Sequence, residues 1–227
     1  MSNDTAFLAL RLEGPLQSWG FDSQYNRRGT GLMPTKSAVG GMCCAALGLP
    51  RGTNEEHSFL DSFSGLRMLA IAIPRRLKDQ VLQVRRLEDY HTVQNSRTAE
   101  GKIKDCHITH RQYLTDAAFG VLLEGDGPLL RRIAAALANP KWGLWLGRKA
   151  CIPTAPVLAG LKENPQDALR LLIGEASLET LTRQEEVESF AEGRDAVSDV
   201  PVSFAVGDRR FSPRRIRTVY ANTGERA

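Results

Sequence analysis

Apolar positions switch between two periods along this chain, and the switches mark out its elements. Residues 7–12 are a near-continuous apolar run that stops at Glu13-Gly14-Pro15, as a buried strand followed by a break would. After a loop to Pro34, Val39, Met42, Cys43, Ala46 and Leu47 fall at helical spacing, with Thr35 as N-cap and Gly48 just past the end. Residues 66–73 form a second apolar run halted by Pro74, and residues 117–123 a third. Gly127-Pro128 open a helix with Leu130, Ile133, Ala134 and Leu137 on one face, Asn139-Pro140 close it, and a last strand is expected within residues 151–161.

The order strand, helix, strand, insertion, strand, helix, strand is the βαββαβ pattern of the α+β ferredoxin-like class, which includes the RNA-recognition fold. The expected organisation is a domain over residues 1–161 and a C-terminal extension over 162–227 packed on it. Such domains host many activities, so the insertion and loops must carry the functional argument.

The insertion, at about residues 75–115, is strongly cationic. Between Arg75 and Arg111 lie nine Lys or Arg against five Asp or Glu, with three of the four histidines. Recurrent Val, Thr and Ile positions predict a projecting β-hairpin with its tip near residues 95–101. Further on, acids outnumber bases over residues 178–199, which reads as a solvated helix face. Arg209, Arg210, Arg214, Arg215 and Arg217 then place five guanidinium groups within nine residues, a candidate phosphate contact.

Bulk composition changes little. Hydrophobic residues at 42% and charged residues at 25% are ordinary for a soluble globular protein. No apolar stretch approaches the roughly 20 residues of a membrane span. No basic head precedes an apolar segment at Met1, so a cytoplasmic location is expected. Cys43, Cys44, Cys106 and Cys151 follow no disulfide framework and read as reduced thiols. A net charge of +4 permits a nucleic-acid partner without establishing one.

Three local groupings suggest chemistry. Gly14-Pro15-Leu16-Gln17-Ser18-Trp19-Gly20, followed by Arg27, Arg28 and Lys36, sets a flat aromatic and three cations around one loop and one helix N-terminus. Stacking and phosphate contact hold single strands in this way, although Trp19 is equally at home in a core. Gly40-Gly41 inside the first helix implies a close approach, by RNA backbone or by the sheet. Trp142-Gly143-Leu144-Trp145-Leu146-Gly147-Arg148-Lys149 joins aromatics, glycines and a basic pair, with Arg148 and Lys149 as candidate phosphate ligands.

Cys106, His107, His110 and His91 lack the ligand spacing of a zinc site, so no metal and no cofactor is expected. Tyr90, His91, Lys104, His107 and His110 include the residue types of a metal-independent ribonuclease, a base, an acid and a cation for the phosphorane. That remains the alternative function.

The sequence resembles the CasD family, the subunit at the guide 5′ end in type I-E CRISPR Cascade. The likeness runs in order through Gly14-Pro15-Leu16-Gln17-Ser18-Trp19-Gly20, Pro34-Thr35-Lys36-Ser37 with Ala46-Leu47-Gly48, and Asp89-Tyr90-His91-Thr92-Val93. It continues through Arg111-Gln112-Tyr113-Leu114-Thr115-Asp116-Ala117, Leu146-Gly147-Arg148-Lys149-Ala150-Cys151, and Asp199-Val200-Pro201-Val202 with Phe211 and Arg214-Arg215. It implies a modified RNA-recognition fold whose inserted hairpin is a thumb, and a non-catalytic subunit that grips the 5′ handle of the crRNA. It also implies contacts with the Cascade backbone subunit, whose filament it caps, and with the large subunit, target DNA being met only through the assembled complex. No membrane partner is implied. With the readings above, the expected RNA-binding set is Trp19, Arg27, Arg28, Lys36, Ser37, Arg85, Arg86, Tyr90, His91, Arg97, Lys104, His110, Arg111, Arg148 and Lys149.

Overall fold

The computed structural model describes residues 4–20, 23–24, 26–78, 80–97 and 101–221. The chain runs β1 (Thr5–Glu13), β2 (Leu16–Gln17), β3 (Ser23–Gln24), β4 (Arg27–Arg28), α1 (Lys36–Leu47), α2 (Asn54–Ser64), β5 (Arg67–Ala72), β6 (Arg75–Leu77) and β7 (Gln80–Leu82). It continues with β8 (Arg85–Arg97), β9 (Ile103–Thr115), β10 (Ala118–Asp126), α3 (Gly127–Ala138), β11 (Leu158–Lys162), α4 (Pro165–Ile173), β12 (Arg183–Val187), β13 (Asp195–Ala205) and β14 (Asp208–Val219).

Seven strands form one sheet in the order β11-β1-β10-β5-β12-β14-β13, antiparallel throughout. Its first four strands are the fourth, first, third and second of the predicted βαββαβ series. β1 is apolar at nearly every position because both of its faces are covered. Leu8, Leu10 and Leu12 join Val39 and Met42 of α1 and Leu130 and Ile133 of α3 in the main core. Phe7 and Ala9 meet Leu122, Ala168 and Leu172 of β10 and α4 on the other side.

Pattern reading missed α2, α4 and the three C-terminal strands. α2 carries only a short apolar stripe, Phe59, Leu60 and Phe63, yet its start was marked. The Thr53 hydroxyl accepts from Glu56 N at 3.2 Å and the Glu56 carboxylate accepts from Gly52 N at 2.7 Å, close to a capping box. Gly40 and Gly41 admit this helix and β13, not RNA. A Cβ on Gly40 would lie 3.1 Å from both Phe63 and Pro201, and one on Gly41 3.8 Å from Phe204.

The acid-rich stretch is not a solvated helix face. It holds a short 3-10 turn, Leu178–Thr180, then β12 and the start of β13, and β12 zips onto β5 with Glu185 opposite Leu69. Strand alternation then turns Glu186 inward to meet Lys36, which corrects the expectation that Lys36 binds RNA. Lys36 has 0% of its surface exposed. Its ammonium donates to Glu186 Oε1 at 2.9 Å and to the Ser64 and Leu66 carbonyls at 3.0 and 2.5 Å. Desolvation pushes its pKa below the ordinary lysine value, and the Glu186 charge opposes that shift.

The arginine cluster is dispersed for the same reason. Arg214 is buried and grips Asp199 with two bonds of 2.6 and 3.0 Å. Arg217 pairs with Glu185 at 2.5 Å, Arg210 with Asp208 at 2.9 Å, and Arg215 lies 3.4 Å above the Phe190 ring centroid. Alternation along β14 sends neighbouring guanidinium groups to opposite faces, so nearness in sequence does not make a phosphate site.

Removing one partner from such a buried group leaves an uncompensated charge, at a cost of about 3–5 kcal/mol. Lys36→Ala is therefore expected to lower the melting temperature by roughly 6–20 °C. Adding Glu186→Gln to it should recover part of the loss. Thermal denaturation followed by circular dichroism measures both, and an unchanged melting temperature in the single variant would refute the buried pairing.

Candidate nucleic-acid interface

The predicted insertion, about 75–115, holds a short β6–β7 hairpin over residues 75–82 and then one long two-stranded hairpin, β8–β9. β8 and β9 pair without slippage from Arg85↔Thr115 to Arg97↔Ile103, and Asn95, two residues before the last pair, has a φ of 53°. The hairpin root is fixed by the residues of the Gly14-to-Gly20 motif. Gln17 is buried and its amide donates to Leu12 O at 3.1 Å and Ala117 O at 2.7 Å, while its Oε1 accepts from Trp19 Nε1 at 3.2 Å. Trp19 is 0% exposed and stands edge-on to Phe119, so it belongs to the core and cannot stack on a base. Its bulk could be placed from sequence, but the burial of its polar neighbour Gln17 gave no signal.

Trp19 also aims the next segment. Its N–H donates to Thr30 Oγ1 at 2.8 Å and its carbonyl accepts from Gly31 N at 2.8 Å, which returns the chain toward the hairpin. There β4 lies parallel to β9, with Arg27 beside His110 and Arg28 beside Arg111. Two exposed arginines from the N-terminal loop thus extend a cationic surface begun by the insertion.

Arg148 holds this junction together. It donates to Gln112 O at 3.0 Å, Arg28 O at 2.7 Å and Gly29 O at 3.2 Å, and its guanidinium sits 4.8 Å from the Tyr113 ring centroid. Expected as a phosphate ligand, Arg148 instead spends these donors on backbone carbonyls. Gly147 makes the approach possible. At φ of 93° it passes so close to the N-terminal motif that a Cβ would fall 1.7 Å from Ser18 O. The two glycine-containing motifs of the sequence therefore meet, joined by Ser18 N donating to Leu146 O at 3.0 Å.

Residues directly opposite in a hairpin share a face, so the register sorts the insertion's side chains. Arg86, Glu88, Tyr90 and His110 lie on one face with Arg27. Arg85, Asp89, His91, His107, Arg111 and Arg28 lie on the other. Tyr90 is 60% exposed and meets His110 edge-on at 5.3 Å. His110 Nδ1 is 3.1 Å from Glu88 Oε1. That hydrogen bond, helped by Gln112, holds the Glu88 carboxyl below the usual carboxylate range. On the opposite face His91 Nδ1 lies 3.7 Å from Asp89 Oδ2, and Arg111 donates to Thr109 Oγ1 at 3.1 Å.

His110 is thus separated from His91 and His107 by the thickness of the hairpin. Among the described residues no three His, Cys, Asp or Glu side chains gather as a metal-binding group. The remaining expected residues are spread out. Arg85 and Arg86 are exposed at the start of β8, and Arg97 lies at its far end, about 36 Å along the strand at 3.3 Å per residue. The backbone of Lys104 faces Ser96, but its side chain lies outside the described residues. Ser37 bonds to Thr35 Oγ1 at 3.3 Å within the α1 cap, and exposed Lys149 stands 5.8 Å from the Trp145 ring centroid.

Such an arrangement defines a class of protein, an antiparallel-sheet α/β chain that presents a cation-lined hairpin beside a second basic strand. The family model for CRISPR-associated protein Cas5 matches residues 7–217. A protein of Escherichia coli (strain K12) described as CRISPR system Cascade subunit CasD is 33% identical over 172 residues, covering 72% of this chain and 75% of that one. A solved structure titled CRISPR RNA-guided surveillance complex contains a chain with a TM-score of 0.74 and 30% identity, matching 95% of this chain and 90% of that one. Another, titled crystal structure of Cas protein, has a TM-score of 0.66 and 32% identity over 95% of each chain. The chain belongs to the Cas5 family of CRISPR-associated proteins.

Hydrogen bonds from a charged donor contribute about 1.5–3 kcal/mol each where they are sheltered. Arg148→Ala should therefore free residues 26–31 from the hairpin base, and Arg148→Lys should not restore them, because an ammonium cannot reach three carbonyls in a fork. Amide hydrogen exchange reports the outcome. Protection at His110, whose N–H donates to Asn26 O at 2.8 Å, should fall at least tenfold in both variants.

Proposed function

We propose that this protein is a non-catalytic RNA-binding subunit of a type I-E CRISPR Cascade complex that holds the 5′ handle of the crRNA at the root of its hairpin thumb and caps the backbone-subunit filament. Family membership and the likeness to the Cascade subunit CasD and to a chain of a surveillance complex support this reading. The observation that carries it is the cationic hairpin root, with Arg27 beside His110 and the exposed Tyr90 on one face and Arg28 beside Arg111 on the other. Cations on both faces with one open aromatic suit a single strand that wraps the root and is held through its phosphates, with a base stacked on the ring. The strand order and connectivity support a ferredoxin-like, RNA-recognition-type domain over residues 1–161, with residues 162–227 as an extension that lengthens its sheet. The large subunit and other Cascade proteins are its further partners, target DNA is met only in the assembled complex, and the site of action is the cytoplasm. No described helix is long and apolar enough to cross a membrane.

For single strands the slope of log affinity against log salt is about −0.7 per neutralised phosphate. Arg27→Ala, Arg28→Ala and Arg111→Ala together should flatten that slope by about 2 for the repeat-derived 5′ handle. Fluorescence anisotropy over a salt series measures it, and an unaltered slope would refute the assignment. Incubating the wild-type chain with repeat RNA in chelator should leave the RNA intact. Cleavage at one phosphodiester, lost when His91, His107 and His110 are replaced by alanine, would establish the ribonuclease alternative instead.

A further inference from the structure

The β13–β14 hairpin ends in a two-residue turn, Val206-Gly207, that nothing above explains. β13 is seated on the helices through Pro201 and Phe204 against Gly40 and Gly41, and through Ser203 Oγ, 3.4 Å from His57 Nε2. At the tip, a Cβ on Gly52 would lie 3.1 Å from the Ala205 Cβ, so the α1–α2 loop and the hairpin are in close contact. That contact brings two arginines together. Arg209 lies 5.2 Å from the Phe211 ring centroid and 5.8 Å from that of Phe204. Desolvation and then the neighbouring Arg51 charge pull its pKa below the ordinary guanidinium value. Neither Arg51 nor Arg209 has a carboxylate partner among the described residues, whereas Arg210 is matched by Asp208.

Two neighbouring cations without an anion, one of them partly desolvated on aromatic rings, are strained for want of a counter-charge. The surroundings indicate which anion. Val206 is 94% exposed, Val202 40% and Phe211 36%, so the hairpin that carries Arg209 also presents apolar side chains to solvent. Aromatic residues and arginine in a partly apolar setting are the composition of protein-interface centres. A phosphodiester backbone has nothing to bury against valines, and the rings that could stack on bases are occupied by Arg209.

We propose that the β13–β14 tip and Arg51 form a docking surface for an acidic segment of a protein partner, whose carboxylate sits between Arg51 and Arg209 and whose apolar side chains cover Val206 and Phe211. This rests on the reading of the chain as a subunit of a multiprotein complex, and it separates a protein-facing end from the RNA-facing thumb root.

The test uses the full chain assembled with crRNA and its partner subunits. With Val206 replaced by the photo-crosslinker p-benzoylphenylalanine, irradiation should give an adduct on a partner peptide that contains Asp or Glu. Arg51→Glu with Arg209→Glu should reduce that adduct and the retention of the same partner at least tenfold, while the free chain's affinity for the 5′ handle changes less than threefold. Arg51→Gln with Arg209→Gln, which keeps the bulk without reversing charge, should act in the same direction if the first pair perturbs the fold. An adduct on RNA, an adduct confined to peptides without acids, or no protein adduct overturns the proposal, as does a loss of RNA affinity matching that of Arg27→Ala with Arg28→Ala. Failure of the wild-type chain to bind the handle would instead refute the function proposed above, and the separate RNA measurement distinguishes the two.

Discussion

Four buried or nearly buried charges, Lys36, Glu186, Arg214 and Asp199, link the parts of this protein that would otherwise be independent. Lys36 begins α1, Glu186 lies on β12, Asp199 on β13 and Arg214 on β14. Asp199 accepts both from Arg214 and from Lys36 N at 2.7 Å, which places a carboxylate at the positive end of α1. The Lys36 ammonium takes up carbonyls that α2 leaves unsatisfied at its end, and Glu186 accepts from Met68 N of β5 at 3.1 Å. Two positive and two negative groups balance, so desolvation is offset only while all four are in place. The group therefore specifies one arrangement of the C-terminal strands against α1 and β5 more sharply than apolar packing would.

Because β12 occupies the edge of β5, the sheet continues into the C-terminal strands and carries the β13–β14 tip to the α1–α2 loop. The thumb leaves the same sheet between β5 and β10, and its root is braced separately by Gln17, Trp19 and Arg148. The hairpin root and the β13–β14 tip are thus built from different chemistry. The hairpin root is bound by the Gln17 amide and the Arg148 guanidinium donating to backbone carbonyls, which leaves the side chains of Arg27 and Arg28 exposed. The C-terminal strands match most of their cations with acids, whereas Arg209 at the tip, like Arg51 in the neighbouring α1–α2 loop, has no carboxylate partner among the described residues.

Arg148 acts through the backbone that it holds. Its bonds to Arg28 O and Gly29 O fix the backbone of the basic strand, and its place over Tyr113 fixes the hairpin base. An exposed pair such as Arg27 and Arg28 gains its direction from that half-buried support.

Sequence by itself determined the order strand, helix, strand, insertion, strand, helix, strand, the caps of α1, the closing Asn139 of α3 and the existence of an inserted hairpin, because these depend on local periodicity, capping residues and breaks. It also marked the loop and hairpin residues Arg27, Arg28, Tyr90, His110 and Arg111, which remain at the surface. Only tertiary structure decided which cations were free. Lys36, Arg214 and Arg217 look in sequence like exposed phosphate ligands, but each meets an acid between 32 and 150 positions away along the chain, or 15 for Arg214 and Asp199. The three histidines look like a cluster until the hairpin register places His110 on the opposite face from His91 and His107. Period and composition describe a side chain's own strand or helix. Burial and pairing depend on what another strand brings to it, and that is set by the fold.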